Sequence, residues 1–231
     1  MYDKKHIIEF EKYAKSYDSN VLIQKKVAEE LVKKVNFTPK TILDIGCGTG
    51  EIYKNISWKV DRFVGVDCSS SMCELHPKAK NIEIFCDDFE SPVFLDRVRE
   101  FSPFDLIISS SSLQWAKDIK MAIKYYSELS DKVALAIFTS GTFKTIYKIT
   151  NRKSFLPSCD SMVFLSKFFK KSNIERRFYK VYFDDTISML RHIKLSGTSG
   201  GNRVLNYKEI KYLLKQYPYD YLEFEVVFIV N

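Results

Sequence analysis

The sequence predicts an α/β fold in which a mostly parallel sheet carries helices on both faces. Short apolar runs alternate with helical segments along the chain, as expected when parallel strands are joined by crossover helices. The first run, Thr41–Ile45, leads into a glycine turn formed by Gly46, Gly48 and Gly50. Such glycines let the backbone turn sharply and let a ligand approach the bare main chain. Asp44 lies just before the turn, at the end of the strand where ligands of open α/β sheets bind.

Composition is that of one globular domain. The chain has 231 residues, of which 45% are apolar, enough for a sizeable core. No apolar run approaches the ~18 residues of a membrane span, and Met1 to His6 lack a signal peptide's apolar core. Five cysteines without a CxxC pair argue against a disulfide framework or a metal site. We therefore expect a cytoplasmic protein with reduced thiols.

Apolar spacing and breaker residues predict the elements of the first half of the chain. Apolar residues at helical spacing predict helices over residues 1–36, which end before Pro39. Beyond them we predict strand one at 41–45, a helix at about 51–56, strand two at 62–66, a short helix capped by the serines from Ser69, and strand three at 81–85.

The second half continues the alternation and then changes character. Residues 140–177 are rich in Lys, Phe and Ser, and we interpret them as a lid insertion over the active site. The glycine-rich stretch 196–201 predicts a flexible loop. The remaining predicted elements are strand four at 104–108, a helix from Asp118 to about Leu129, strand five at 132–138, a strand at 178–183, a helix at 187–195, a helix capped by Asn206, and a last strand at 224–230.

Three acidic residues lie at or just after the carboxyl ends of three successive predicted strands. Asp44 lies at the carboxyl end of strand one, and Asp67, at the end of strand two, can accept hydrogen bonds from both hydroxyls of a ribose. Asp88, after strand three, can accept from an adenine amino group, and the ring of Phe89 can lie against the base. The glycine spacing is GxGxG, whereas the usual dinucleotide fingerprint is GxGxxG. An NAD-binding or cofactor-free doubly wound domain is the alternative interpretation.

This ordered set resembles the class I S-adenosylmethionine (SAM) methyltransferases. The resemblance implies a Rossmann-like sheet of seven strands with an antiparallel last strand, SAM as cofactor and S-adenosyl-L-homocysteine as product. It also implies that the glycine loop binds the methionine part. The amino-terminal helix often closes over SAM in this class, which makes Tyr17 a candidate for both cofactor binding and catalysis. The other candidate cofactor residues are Asp44, Gly46, Gly48, Gly50, Asp67, Cys68, Asp88, Phe89, Ser109 and Gln114.

Four further stretches resemble a narrower family, the BioC-type malonyl-[acyl-carrier protein] O-methyltransferases of biotin synthesis. Residues 109–115 are similar to that family's S-N-x-x-x-Q-W, with Ser110 in place of Asn. Residues 151–157 are similar to its N-R-F-L-P, with the arginine displaced by two residues. Residues 10–18 and 183–197 are similar to its leading helices and to a later helix that carries Arg191 and Lys194. The resemblance implies methyl transfer to the free carboxyl of malonyl on a carrier protein.

The implied chemistry needs a cationic anchor more than a base. A malonyl carboxylate is already ionised at pH 7, so positioning and exclusion of water would supply most of the catalysis. A bidentate arginine suits a carboxylate best. Arg191 and Arg152 are the candidate anchors, and Lys194 is a weaker one.

Charge and loop sequence bear on the partner. The net charge of +7 would favour an acidic partner such as an acyl carrier protein. The lysines are scattered rather than gathered in a stripe, and Ser109–Ser112 stand where nucleic-acid amino-methyltransferases often carry N/D-P-P-Y/F. We therefore expect no nucleic-acid or membrane partner and a monomeric enzyme. Methylation of a small free acid is the alternative substrate assignment.

Overall fold

A computed structural model of the chain describes residues 22–195 and 205–231. In these residues the strands are β1 (Thr41–Ile45), β2 (Arg62–Asp67), β3 (Ile82–Cys86), β4 (Leu106–Ser110), β5 (Val133–Phe138), β6 (Asn173–Tyr182) and β7 (Tyr221–Val230). The helices are α1 (Leu22–Lys34), α2 (Glu51–Asn55), α3 (Ser70–Leu75), α4 (Pro92–Arg99), α5 (Ile119–Tyr126), α6 (Lys144–Ile149), α7 (Cys159–Val163), α8 (Thr186–Leu195) and α9 (Tyr207–Gln216), with 3₁₀ turns at Leu113–Trp115 and Phe164–Phe168.

The strands form one sheet in the order β3-β2-β1-β4-β5-β7-β6. Strands β1 to β5 run parallel, and β7 runs antiparallel to both of its neighbours. The predicted fold, a mostly parallel sheet with an antiparallel last strand, is confirmed. The chain reverses its direction of winding between β1 and β4, which is the place where open α/β sheets bind ligands.

Both faces of the sheet are covered, so the central strands are mostly apolar, with polar residues such as Asp44 and Ser109 near their carboxyl ends. On one face, Ile42 of β1 packs in a core with α1, α2, α6, α8 and α9. On the other face, Leu43 and Ile45 pack in a second core with α4, α5 and α7. No helix among the described residues is long and apolar enough to cross a membrane.

Helix starts follow the predicted capping chemistry. The Ser69 hydroxyl accepts a hydrogen bond from the Met72 amide, and the Asp118 carboxylate accepts from the first turn of α5. Asn206 and Glu209 form a reciprocal capping box at the start of α9. These three predicted caps are confirmed.

Three strands start two or more residues from their predicted positions, and one of them is β7, which begins at Tyr221 rather than at Phe224. Strand β4 begins at Leu106 rather than at Phe104, because the Asp105 carboxylate accepts from the amides of Lys40 and Thr41 and so ties the start of β1. Strand β6 begins at Asn173, five residues before the predicted Phe178, because it pairs along the full length of β7. The last five residues of the predicted 140–177 insertion therefore belong to the sheet.

Helix α4 was not predicted. It begins with Pro92 after the cap Ser91, and it buries only Phe94 and Val98, so its periodic signal is short. Several predictions lie outside the described residues, namely Tyr17, the part of the amino-terminal helices before Leu22, and the glycine-rich loop at 196–201.

Glu225 is a buried carboxylate in the middle of β7 that ties three parts of the fold together. It is 1% exposed and accepts hydrogen bonds from the Thr139 hydroxyl, the Gly141 amide and the Arg176 guanidinium of β6. A Cβ on Gly141 would lie 2.6 Å from this carboxylate, so the loop can close over it only with glycine there. Burial alone would raise the pKa of Glu225, but these donors hold it below its ordinary value.

We predict that Glu225→Gln lowers the free energy of unfolding by about 2–3 kcal/mol at pH 7, because a buried, hydrogen-bonded charge pair is broken. Since the pKa is lowered in the folded state, this stabilisation is present above the unfolded pKa and is lost as pH falls through the folded value. The loss in the variant should therefore shrink toward acid pH in urea unfolding.

Arg177→Gln is the matched control. Arg177 lies beside Arg176 on β6 and pairs with Glu175 and Glu30 on the half-exposed side of the strand. We expect a change below about 1 kcal/mol. Equal losses in the two variants would contradict the role assigned to Glu225.

Candidate functional site

The site lies where the carboxyl ends of β1, β2 and β4 meet. Parallel pairing sets Asp44 of β1 beside Gly65 of β2 and Ile108 of β4. Asp67 ends β2, one position beyond the residue paired with Ile45. The sheet therefore gathers residues that are far apart in sequence at one edge.

The glycine loop after β1 is held by backbone bonds and leaves one main-chain surface open. The amides of Gly46 and Cys47 donate to the Val66 carbonyl at 2.8 and 3.0 Å. A Cβ on Gly46 would meet the Ser112 hydroxyl at 1.7 Å, so the loop after β4 lies directly against it. At Gly48, where φ is +52°, a Cβ would meet nothing within 4 Å. The backbone at Gly48 thus faces open space that a ligand can fill.

Asp44 is buried without a partner. It is 0% exposed, and neither of its carboxylate oxygens has a hydrogen-bond partner among the described residues. Burial raises the pKa of Asp44 well above its ordinary value, and the neighbouring Asp67 carboxylate raises it further. Buried polar groups are nearly always satisfied, so an orphaned carboxylate at the ligand end of a strand indicates a cationic or hydrogen-bond-donating ligand.

Asp67 connects the second strand to the glycine loop. Its carboxylate accepts from the amides of Gly48 at 3.0 Å and Ser69 at 2.9 Å. Burial raises the pKa of Asp67, although these two amides oppose that rise. Each carboxylate oxygen takes one backbone donor, which leaves lone pairs for a ligand diol.

Asp88 lies after β3 and is tied to the loop that precedes α5. Its carboxylate accepts from the Lys117 ammonium at 2.9 Å and from the Glu90 amide at 2.9 Å. The Glu90 carboxylate in turn accepts from the amides of Lys117 and Asp118. These contacts join the ends of β3 and β4 into one rim of the site.

Three other predicted cofactor residues form the floor and wall of this edge. The Ser109 hydroxyl is buried and donates to the Ile45 carbonyl at 2.7 Å, which supports the end of β1. The ring of Phe89 is 8% exposed and packs in the second core. Burial raises the pKa of Cys68 to about 12, so its thiol is neutral at physiological pH. Contact of these three with a cofactor stays a prediction.

An apolar pocket opens at the carboxyl ends of β4 and β5. The Trp115 ring stacks on Phe155 with centroids 5.3 Å apart, and Phe143 meets Phe224 edge-on at 5.0 Å. The Gln114 amide nitrogen donates to the Ser111 carbonyl at 2.7 Å, while its buried oxygen has no partner among the described residues. The residues that line the pocket include Gln114, Trp115, Phe143, Phe155, Leu156 and Phe224.

The two predicted anchor arginines are placed differently. Arg152 makes a bidentate pair with Glu209 of α9, with bonds of 2.6 and 2.7 Å. Arg191 is exposed on α8, whose buried side carries Met189 and His192. Arg152 would have to leave Glu209 to bind a substrate carboxylate in the same way, whereas no carboxylate among the described residues forms a bidentate pair with Arg191.

Three phenylalanines that line the pocket come from parts of the sequence distant from the glycine loop and were not predicted as site residues. Phe143 and Phe155 lie in the segment interpreted as an insertion, and Phe224 comes from the last strand. Thr142 fixes the loop after β5, because its hydroxyl donates to the Glu225 carbonyl at 3.2 Å. The sequence feature that indicates these pocket residues is the high phenylalanine content of the segment after β5.

The arrangement fits the cofactor that the resemblance implies. SAM presents an ammonium, a ribose diol and an adenine, and the site offers an orphaned carboxylate at Asp44, a carboxylate with spare lone pairs at Asp67, and an open backbone at Gly48. Among the described residues, no group of three or more His, Cys, Asp and Glu side chains is arranged to hold a metal ion.

Comparisons with known proteins agree with this geometry. A family model described as a methyltransferase domain matches residues 42–131. The malonyl-[acyl-carrier protein] O-methyltransferase of Calditerrivibrio nitroreducens is 30% identical over 203 residues, which cover 84% of this chain and 80% of the relative. The protein of the same name from Acinetobacter baylyi is 26% identical over 94% of this chain and 87% of its own length.

A solved structure supports the fold. The crystal structure of the YcgJ protein from Bacillus subtilis superposes with a TM-score of 0.60 at 16% identity, covering 89% of this chain and 98% of that protein.

We predict that Asp44→Asn stabilises the ligand-free protein at pH 7 by about 2 kcal/mol, because an unpaired buried charge is removed. That gain should raise Tm by roughly 5 °C. A raised pKa in the folded state disfavours folding only above the unfolded pKa, near ~4, so the gain should fade as pH approaches that value. Thermal unfolding across pH measures both effects.

Asp105→Asn is the control at the opposite end of the sheet. The backbone amide of Thr41 is the main cause that lowers the pKa of Asp105, and the Lys40 amide contributes. This variant should lose stability at pH 7, and the loss should fade toward acid pH. A lower Tm for Asp44→Asn at pH 7 would show that Asp44 is satisfied in the free protein.

Proposed function

The chain belongs to the family of malonyl-[acyl-carrier protein] O-methyltransferases, and from this premise we propose that it methylates the free carboxyl of malonyl carried on an acyl carrier protein. It is a SAM-dependent methyltransferase. The malonyl substrate, the carrier protein and a place in biotin synthesis are the proposal.

One observation carries the proposal above the others. The similarity to two relatives with this substrate in their names covers 84% and 94% of the chain and is not confined to the glycine loop. A glycine loop alone is common to many methyltransferases, whereas pocket segments decide which acceptor fits.

Three carboxylates would hold the cofactor. Asp44 would pair with its ammonium, Asp67 would accept from the ribose hydroxyls, and Asp88 would accept from the adenine amino group. The open backbone at Gly48 leaves room for close approach. When bound, the cofactor supplies an electrophilic methyl group on a sulfonium.

The acceptor needs no strong base. A malonyl carboxylate is ionised at neutral pH, so its oxygen is already a nucleophile. The two histidines among the described residues, His76 and His192, are buried against aromatic rings, and burial lowers the pKa of each. The stacked pair Trp115 and Phe155 would exclude water from the reacting atoms, which favours the charge-neutralising transfer.

A cation is still needed to orient the acceptor. We assign this role to Arg191 before Arg152, because the Arg152 guanidinium is already engaged by both oxygens of Glu209. The anchor would bind the carboxylate oxygen that does not attack, since a bond to the other oxygen would weaken the nucleophile. Arg191 lies on α8, so the position of this helix limits which atoms its guanidinium can contact.

The direct test combines purified protein, SAM and malonyl-carrier protein, with mass spectrometry of the acyl arm. We expect a gain of one methyl group on malonyl-carrier protein and none on acetyl-carrier protein, which has no free carboxyl. A gain on both carriers would contradict the carboxyl as acceptor. Methylation of small free dicarboxylic acids with none on the carrier would contradict the carrier assignment and favour the small-acid alternative.

We predict that Arg191→Ala lowers kcat/KM for malonyl-carrier protein by about 10- to 100-fold, the cost of a lost charge-assisted hydrogen bond. Cofactor affinity measured by calorimetry should not change. Lys194→Ala, which removes a positive charge one turn away on α8, is the control and should have a smaller effect. Equal effects of the two variants would exclude a specific role for Arg191.

A further inference from the structure

The exposed side of α6 and α9 carries five lysines, which we call the lysine face. Lys144 and Lys148 lie one turn apart on α6, and both are exposed. Lys208, Lys211 and Lys215 are exposed on α9 and recur at intervals of three and four residues. Residues at that spacing share one side of a helix.

The two helices are neighbours with a common orientation. Ile146 of α6 and Leu213 of α9 are buried in the same core against the same face of the sheet. The bidentate pair between Arg152, just after α6, and Glu209 of α9 fastens one helix to the other. The exposed lysines of both helices therefore point away from the sheet on the same side of the molecule.

The charge of the lysine face is not balanced locally. Glu209 is the only acidic residue in the two helices, and its carboxylate is already paired with Arg152. Within the described ranges, none of the five lysines forms a salt bridge. By contrast, Lys33 and Lys34 of α1 pair with Glu29 and Glu30 on their own helix.

The lysine face borders the apolar pocket. Phe143, which lines the pocket, directly precedes α6, and Phe155 and Leu156 follow α6 after a short turn. Tyr207 and Tyr212 of α9 are 77% and 53% exposed and add aromatic surface beside the lysines. Exposed aromatics within a charged surface are typical of docking sites.

We propose that the lysine face is the docking surface for an acidic carrier protein, which holds the acyl arm at the pocket mouth while the arm enters. This proposal rests on the proposed function. Carrier proteins present acidic helices, so five lysines without a salt bridge among the described residues give charge complementarity, and the pocket residue Phe143 directly precedes α6. Docking of this kind acts mainly on encounter rate and depends on ionic strength.

The test compares Lys211→Glu/Lys215→Glu with the matched control Lys78→Glu/Lys80→Glu. Lys78 and Lys80 are exposed and precede β3, at the opposite edge of the sheet. Each protein is assayed with malonyl-carrier protein and with malonyl-pantetheine, which has the same reacting group and no protein. We expect the first variant to lose about tenfold or more in kcat/KM for the carrier substrate at low salt, and to keep the wild-type rate on malonyl-pantetheine.

Salt provides a second readout. Added salt should slow the wild type and the control on the carrier substrate more than it slows Lys211→Glu/Lys215→Glu, because the variant has already lost the attraction that salt screens. If the wild type methylates the carrier substrate and this variant does so at the same rate, the docking surface is overturned while the proposed function stands. Equal losses on both substrates would also overturn it. No methylation of the carrier substrate by the wild type would overturn the proposed function, and the docking surface with it.

Discussion

The candidate site is organised around the Asp44 carboxylate, which is buried and has no hydrogen-bond partner among the residues that the structure describes. The sheet carries it to the carboxyl end of β1, where parallel strands on both sides and apolar cores on both faces remove it from water. A charge in that position destabilises the free protein unless a ligand offers a cation or donors. The glycine loop, Asp67 and the loop after β4 lie at the same edge of the sheet as this group, and the Asp67 carboxylate raises the pKa of Asp44 further.

The polar contacts of Glu225 support the part of the molecule that forms the apolar pocket. Glu225 in β7 holds the loop after β5 through Thr139 and Gly141, and the same strand supplies Phe224 to the pocket. Farther out, Arg152 and Glu209 fasten α6 to α9. The antiparallel last strand thus supports more than the sheet, because the aromatic residues of the pocket and the exposed lysines of α6 and α9 both depend on elements anchored to it.

Local sequence patterns predicted the strands and helix caps that depend on residues close together in the sequence. Apolar runs with an acid at or just after their carboxyl ends identified β1, β2 and β3, and small polar residues identified the caps of α3, α5 and α9. The start of β6 was misplaced because Glu175, Arg176 and Arg177 look like loop residues, and only pairing with β7 makes them a strand. Glu225 and the lysines of α9 were missed because their significance depends on partners distant in sequence.

Titration calorimetry of SAM into the wild type and Asp44→Asn measures whether the buried Asp44 carboxylate binds the cofactor. We expect the variant, although at least as stable without ligand, to bind SAM more weakly by about tenfold or more, the value of a charge-assisted contact. The wild type should bind with a one-to-one ratio. Equal affinity in the two proteins would mean that the buried carboxylate makes no contact with the cofactor.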